Sequence, residues 1–158
     1  MKNIGLFFGS FNPIHMGHLA IADFFVENSG LEEIWLVISP QSPFKEKNSL
    51  MENKHRLAMV EMAIVGKPKL KACSEEFDLS TPNYTVDTLG HLKKKYPKNQ
   101  FTLLMGQDNM AQFERWKEHN QILDQFHLFI YPRSQSGKIP TRILKHPKIH
   151  YFEASLME

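Results

Sequence analysis

The sequence contains a single cysteine, Cys73, which excludes an internal disulfide and any metal site built from several cysteines. No apolar run approaches the roughly 20 residues that a membrane-spanning helix needs, and the N-terminal MKNIGLFFG leads into a strand pattern instead of a signal peptide. Charge of one sign is also scarce, since 19 basic and 17 acidic side chains leave a formal net charge of +2. This balance gives no electrostatic footprint for nucleic acid or an anionic membrane. We therefore expect a cytoplasmic protein with neither nucleic acid nor membrane as a partner.

Short apolar runs alternate along the chain with helical patterns. Six runs predict β-strands over residues 3–8, 33–39, 69–74, 101–106, 127–132 and 148–153. Several of them are apolar at consecutive positions, which is typical of strands covered on both faces of a parallel sheet. Apolar residues at three-to-four spacing predict helices over residues 18–30, 53–66 and 84–97.

The order and length of these elements define the expected fold. A chain of 158 residues with 42% hydrophobic content is long enough to bury one core. Alternating strands and helices favour right-handed crossovers within one sheet. We expect a single α/β domain over residues 1–158, with a doubly wound, Rossmann-like and mostly parallel sheet that has helices on both faces.

The loop after the first predicted strand is the strongest candidate for a binding site, because ligands of such sheets bind beyond the carboxyl ends of the strands. It reads GSFNPIHMGH and matches neither GxGxxG nor GxxxxGK[ST]. The free amide groups and the dipole of a helix that begins near Met16 favour phosphate. Gly17 leaves room for close approach, and His15 and His18 add imidazole donors for the same anion.

The segment GSFNPIHMGHL resembles the phosphate-binding motif of the nucleotidyltransferase superfamily, whose HxGH signature it carries as His15, Gly17 and His18. From Gly5 to about Glu158 the chain resembles bacterial nicotinate mononucleotide adenylyltransferases. The resemblance implies transfer of the adenylyl group of ATP to nicotinate mononucleotide, giving deamido-NAD and pyrophosphate, with Mg²⁺ bound to ATP. It implies small-molecule partners, ATP and nicotinate mononucleotide, and leaves the oligomeric state open.

The resemblance also implies residue roles in ATP binding. His15 and His18 are the catalytic residues, which stabilise charge on the phosphates. The implied ATP-binding residues are Gly9, Ser10, Phe11, Asn12, Gly17, Gly106, Asp108 and Arg133. Asp108 matches the family's ribose-binding carboxylate, although a helix cap explains an aspartate there as well. Arg133 is followed by Ser-Gln-Ser-Gly where the family has Pro-Gly, so the path of that loop is open.

The mononucleotide-binding residues implied by the resemblance are Lys45, Tyr84, Thr85 and Trp116. Lys45 ends a proline-rich loop, and Tyr84 and Thr85 belong to NYTVDTL, which resembles the family's nicotinate-pocket segment. Thr85 and Asp87 also fit ordinary positions at a helix start. Trp116 is either a stacking platform for the pyridine ring or a core residue. Because eight residues span about two helical turns, we expect Asp108 and Trp116 on one side of a helix.

Some assignments stay open at this stage. Arg56, at the start of the second helix, is either a second phosphate contact or a surface residue. Relatives continue after a segment like YFEASLME with Ile-Ser-Ser-Thr-x-Ile-Arg, which holds ATP phosphates, and this motif is missing after residue 158. Either a native tail is left out of this sequence, or the protein lacks half of its triphosphate clamp. Alternative functions are a phosphopantetheine adenylyltransferase, which shares the fold and HxGH, and a nucleotide-binding module without catalysis. Preference for the acid over the amide mononucleotide is expected from the resemblance alone.

Overall fold

A computed structural model describes residues 1–40, 52–80, 83–132, 139 and 141–152. The strands in these ranges are β1 (Lys2–Gly9), β2 (Glu33–Ile38), β3 (Leu70–Cys73), β4 (Asn99–Gly106), β5 (His127–Tyr131) and β6 (Ile149–Tyr151). The helices are α1 (Met16–Asn28), α2 (Asn53–Ala63), α3 (Thr85–Lys95), α4 (Gln107–Met110), α5 (His119–Gln125) and α6 (Thr141–Leu144). The strands form one sheet in the order β3-β2-β1-β4-β5-β6, and every pairing is parallel. The expected α/β fold is confirmed.

The sheet is covered on both faces, because successive side chains of a strand point to opposite sides. Phe7 packs with residues of α1 and α2 on one face, whereas Leu6 packs with residues of α3 and α5 on the other. The wholly buried helix residues of the first face include Ala22, Phe25 and Val60, and those of the second include Leu89 and Leu92. Within the described ranges, no helix has the length and apolar character needed to cross a membrane.

The chain order reverses between β1 and β4, which are neighbours at the centre of the sheet. From β1 the chain moves to β2 on one side, and from β4 it moves to β5 on the other. The loops that leave the carboxyl ends of β1 and β4 therefore diverge. Such a switch point opens the crevice in which doubly wound sheets bind their ligands.

Element ends differ from the sequence predictions by at most three residues, but one helical prediction is wrong. α4 ends at Met110, a 3₁₀ turn follows at Phe113–Arg115, and Trp116 is extended with φ −73° and ψ 144°. Met110 and Phe113 are both wholly buried, so packing into the core interrupts the helix. Asp108 and Trp116 consequently do not share a helix face.

Candidate active site

The first loop leaves the sheet at Gly9, and packing requires a glycine there. A Cβ atom at Gly9 would lie 3.0 Å from Cζ of Phe11. Phe11 has a φ of +46°, and its side chain is 1% exposed. The Asn12–Pro13 peptide bond that follows is cis. Phe11, a predicted ATP-binding residue, thus fills the core under the loop.

His15 and His18 form a reciprocal cap at the start of α1. Nδ1 of His15 accepts a hydrogen bond from the backbone N–H of Gly17 at 3.0 Å. Nδ1 of His18 accepts one from the backbone N–H of His15 at 3.1 Å, and the two rings stack with centroids 3.7 Å apart. The first amides of a helix lack partners within the helix, so the histidines do what serine and glutamate do in other capping boxes.

This cap determines where each neutral imidazole carries its proton. A ring nitrogen that accepts a hydrogen bond bears no hydrogen, so the proton of a neutral ring sits on Nε2. His15 and His18 are therefore both Nε2–H donors, which is the form that binds a phosphate oxygen. The sequence predicts the donors, and the backbone amides of His15 and Gly17 define which nitrogen donates.

Gly17 has a structural task besides the one expected of it. A Cβ atom at this position would lie 2.9 Å from Cε1 and 3.0 Å from Nδ1 of His15. Any side chain at residue 17 would therefore push the His15 ring off the helix start. The glycine of the HxGH motif makes room for the first histidine to fold back onto the amide.

Aromatic rings support His18 from the core side. The Phe11 ring meets the His18 ring edge-on with centroids 4.9 Å apart, and the Phe7 ring is 6.4 Å away. Phe7 lies in β1 and Phe11 lies in the loop, so both rings are buried. The orientation of His18 is therefore tied to the packing of the central strand.

Arg56 of α2 is not a surface residue, which corrects one of the two sequence interpretations, and its role as a phosphate contact stays a prediction. Its side chain is wholly buried, and Nη1 donates to the backbone carbonyls of Ser10 at 2.5 Å and Ser39 at 2.6 Å. Burial lowers the pKa of the guanidinium from its usual value. Arg56 ties the first loop to the end of β2. Val60, which is buried, follows Arg56 by four residues and therefore lies on the same face of the helix. This spacing was the sequence signal that Arg56 faces the core.

The second loop of the crevice begins at Gly106, where the structure leaves open space. A Cβ atom at Gly106 would meet nothing within 4 Å in the described part of the chain. Gly106 is the N-cap of α4 and no side chain caps this helix, so Asp108 is not a cap. Asp108 is exposed in the first turn of α4, and it has interactions of its own. Beside it, the hydroxyl of Tyr151 donates to Oε1 of Gln107 at 3.0 Å.

Two of the predicted mononucleotide-binding residues lie at the start of α3. Tyr84 is the N-cap, with an extended backbone and no side-chain cap, and Thr85 is the first helical residue. The ammonium of Lys117 lies over the Tyr84 ring, 4.6 Å from its centroid, and 3.4 Å from Oδ2 of Asp87. Asp87 therefore faces a cation as well as the helix dipole. The sequence analysis did not single out Lys117.

Trp116 packs in part against the core, and its role as a stacking platform stays a prediction. Its ring has a centroid 5.2 Å from that of Phe113, yet the residue is only partly buried. A partly exposed indole is the geometry that stacking with a flat ring requires.

Glu76 is a buried acid that the sequence interpretation missed. Its side chain is 2% exposed, Oε2 accepts a hydrogen bond from the Thr88 hydroxyl at 2.7 Å, and Oε1 has no partner within the described residues. Burial raises the pKa of this carboxyl, while the hydroxyls of Thr88 and Ser39 act in the opposite direction. The Asn83 amide donates to the Glu76 carbonyl at 3.4 Å. Glu76 thus connects the segment after β3 to the first turns of α3.

Two predicted site residues, Lys45 and Arg133, lie outside the described residues. The other predictions form two groups at the carboxyl edge of the sheet. The first group surrounds the switch point and comprises Gly9, Ser10, Phe11, Asn12, His15, Gly17, His18, Gly106 and Asp108. The second group comprises Tyr84 and Thr85 at the start of α3 and Trp116 after β4, joined through Lys117.

Comparisons with known proteins agree with this architecture. A probable nicotinate-nucleotide adenylyltransferase of Christiangramia forsetii is 48% identical over 99% of this chain and 81% of its own length. A protein of the same description from Cytophaga hutchinsonii is 47% identical, over 98% of this chain and 80% of its own.

A solved structure is similar over nearly the whole chain. The nicotinic acid mononucleotide adenylyltransferase of Plasmodium falciparum complexed with NaAD superposes with a TM-score of 0.79 at 26% identity, over 99% of this chain and 79% of its own. The cytidylyltransferase-like family model matches residues 6–155. That match begins within β1 and includes the His15–His18 cap, the switch point and β6, so the chain belongs to the cytidylyltransferase-like family.

Proposed function

We propose that this protein transfers the adenylyl group of ATP to nicotinate mononucleotide, giving deamido-NAD and pyrophosphate. The observation that carries the proposal is the pair of Nε2–H donors that His15 and His18 present at the switch point. Relatives 48% and 47% identical have this activity in their descriptions, which supports the choice of substrates.

The reaction is an in-line attack by the phosphate of the mononucleotide on the α-phosphorus of ATP, with pyrophosphate as the leaving group. A phosphate monoester has a second pKa of about 6, so the nucleophile is anionic at neutral pH and needs no general base. The barrier lies in bringing two anions together and in the charge that develops at transfer. Fixed N–H donors lower this barrier because they are oriented before the reaction begins.

Each group of residues has a separate task in this proposal. His15 and His18 stabilise the α-phosphate and the leaving group, and the first amides of α1 add further donors. The residues proposed to bind ATP are Gly9, Ser10, Phe11, Asn12, Gly17, Gly106, Asp108 and Arg133. Those proposed to bind the mononucleotide are Lys45, Tyr84, Thr85 and Trp116. The open space at Gly106 and the partly exposed Trp116 support these assignments.

Mg²⁺ is proposed to arrive with ATP. The donors of the first loop are N–H groups, which suit phosphate oxygens and not a cation, and no cluster of three or more metal-ligating side chains occurs in the described ranges. Mg²⁺ commonly keeps several waters and binds through substrate phosphates, which fits these residues. When bound, the ion neutralises charge on the phosphates. The chain's own part is to hold and orient the triphosphate.

The test is pyrophosphate release with Mg-ATP and, in parallel, nicotinate mononucleotide, nicotinamide mononucleotide and phosphopantetheine. Release with nicotinate mononucleotide is expected, and the His18→Ala variant should lose most of it while still binding the mononucleotide. Release with phosphopantetheine alone would instead identify the related adenylyltransferase of the same fold. ATP binding without release from any acceptor would indicate a nucleotide-binding module. A cytoplasmic location stays a prediction of the sequence.

A further inference from the structure

A series of polar contacts connects the first loop with α3. Its first member is Arg56, whose guanidinium donates to the backbone carbonyls of Ser10 at 2.5 Å and Ser39 at 2.6 Å. The backbone N–H of Ser39 donates in turn to the carbonyl of Gly9 at 2.9 Å. The first loop and the end of β2 are therefore held together through their backbones.

Glu76 continues this series toward α3. It lies in the 3₁₀ turn Glu75–Asp78, which packs against β2. Burial raises the pKa of the Glu76 carboxyl, and the Ser39 hydroxyl, as a hydrogen-bond donor, opposes that rise. Oε2 of Glu76 accepts a hydrogen bond from the Thr88 hydroxyl at 2.7 Å, and both side chains are buried. Because buried polar groups need partners, this bond holds the 3₁₀ turn and α3 together.

The Thr88 hydroxyl has one hydrogen and two acceptors within reach. Besides Oε2 of Glu76, the backbone carbonyl of Tyr84 lies 3.4 Å away. That carbonyl already accepts the backbone N–H of Thr88 at 3.1 Å. A hydroxyl that bonds to the carbonyl four residues earlier stays within its own helix. The shorter bond to Glu76 instead attaches the first turn of α3 to a neighbouring segment.

The second carboxyl oxygen of Glu76 shows that this acid is a poor source of stability. Oε1 is buried and has no hydrogen-bond partner within the described residues. A buried acid that is only partly satisfied commonly stabilises a fold less than an apolar side chain of similar volume. The gain from Glu76 therefore lies in the orientation of the segments that it joins.

We propose that Glu76 is a positioning residue, which acts through Thr88 to set the distance between the first loop and the start of α3. The inference rests on the proposed function, which places ATP on the first loop and the mononucleotide at Tyr84 and Thr85. In-line attack requires the attacking phosphate and the α-phosphorus to be aligned, and a displacement of about 1 Å can cost about 100-fold in rate. Glu76 touches neither substrate and acts on their alignment.

The experiment compares Thr88→Val with Thr88→Ser in the full chain. Valine keeps the shape of threonine without its hydroxyl, whereas serine keeps the hydroxyl. Pyrophosphate release with Mg-ATP gives kcat and KM for nicotinate mononucleotide, and calorimetry gives the Kd of Mg-ATP. Thr88→Val is expected to lower kcat/KM for the mononucleotide about tenfold and to change the Kd of Mg-ATP by less than about twofold. Thr88→Ser and Glu76→Gln, which keep a donor and an acceptor, are expected to stay within about threefold of the unsubstituted chain.

Two further comparisons separate alignment from a general loss of stability. Glu76→Leu removes the acceptor, and the double variant with Thr88→Val is expected to be no less active than the weaker single variant, because both changes remove one hydrogen bond. Thr102→Val makes the same change at a buried threonine of β4. Thr102 lies between Phe101 and Leu103 of the α3 side, so its side chain points to the opposite face. This control is expected to keep kcat/KM within about twofold, and urea unfolding gives the folded fraction of every variant.

The outcomes separate this inference from the function on which it rests. Full activity in Thr88→Val, an equal loss in Thr88→Ser, or additive losses in the double variant would each overturn the positioning role. A Kd for Mg-ATP that weakens as much as kcat/KM falls would overturn it as well, because the first loop itself is then disturbed. All four results leave the proposed function standing. If the unsubstituted chain neither binds nor converts nicotinate mononucleotide, the proposed function fails, and the inference fails with it.

Discussion

The molecule contains two histidine pairs, one at each edge of the sheet, and they differ in what occupies their ring nitrogens. At the carboxyl edge, Nδ1 of His15 and Nδ1 of His18 accept from backbone amides. At the amino edge, Nδ1 of His127 lies 3.0 Å from Nε2 of His150, so these two rings bond to each other. The rings of the first pair are thus bonded to the backbone, whereas the rings of the second pair are bonded to each other.

The comparison shows that the spacing of histidines says little about their chemistry. Both rings of a pair offer the same kind of N–H donor when the backbone fixes both tautomers. The amino-edge pair joins β5 to β6 and is expected to serve the fold. Substitutions in the two pairs, and in the residues that hold them, test whether the pairs differ in function.

The largest expected effect comes from His18→Ala. Loss of an Nε2–H donor at the transferring phosphate is expected to lower kcat about 100- to 1,000-fold, because oriented donors act mainly on the transition state. Pyrophosphate release is measured with saturating Mg-ATP and nicotinate mononucleotide. His150→Ala is the control, with kcat expected within about twofold of the unsubstituted chain. Equal losses in both variants would remove the distinction between the pairs.

Arg56→Met is expected to destabilise the fold by about 2 kcal/mol, because the partly buried carbonyls of Ser10 and Ser39 lose their donor. Urea unfolding measures the change in the free energy of unfolding. Lys67→Met, which breaks a half-exposed ion pair with Asp23, is expected to cost less than about 1 kcal/mol. An Arg56→Met chain as stable as the unsubstituted one would contradict the role of Arg56 as the support of the first loop.

Gly17→Ala tests whether the first histidine pair needs the space that a glycine leaves at residue 17. The added Cβ would lie 2.9 Å from Cε1 of His15, so the ring must move and its Nδ1 bond to the Gly17 amide weakens. We expect kcat to fall about tenfold, which is a loss of roughly 1.4 kcal/mol in transition-state stabilisation. Gly90→Ala is the matched control in α3, where a Cβ meets nothing within 4 Å of the described residues. That variant should keep its kcat and gain up to about 1 kcal/mol of stability.

The smallest expected effect concerns the amino-edge pair and pH. Burial and the neighbouring His150 and Lys148 lower the pKa of His127. Because the unfolded chain then binds the proton more readily, the free energy of unfolding falls as pH drops through about 6.5. His127→Asn should flatten this part of the pH dependence in urea titrations at pH 5.5 and 8. An equally steep dependence in the variant would show that other groups cause it.

The fold and the first loop could be predicted from the sequence because the patterns that indicate them involve residues close together in the chain. Consecutive apolar residues predicted the parallel strands, and His15, Gly17 and His18 are close enough in sequence for a motif to define them. Arg56 was misjudged because its acceptors, Ser10 and Ser39, lie 46 and 17 positions away. The helix expected to join Asp108 and Trp116 failed because the burial of Phe113 overrides local spacing. Lys117 was missed because the sequence alone does not show that α3 packs beside it.

The buried carboxyl of Glu76 has a consequence for how the two edges respond to acid. Because its pKa is raised in the fold, its contribution to stability is greatest at low pH and declines as pH rises through the folded value. His127, with its lowered pKa, contributes in the opposite direction. A fall in pH is therefore expected to strengthen the contact of Glu76 with Thr88 at the start of α3 and to weaken the contact of His127 with His150 between β5 and β6.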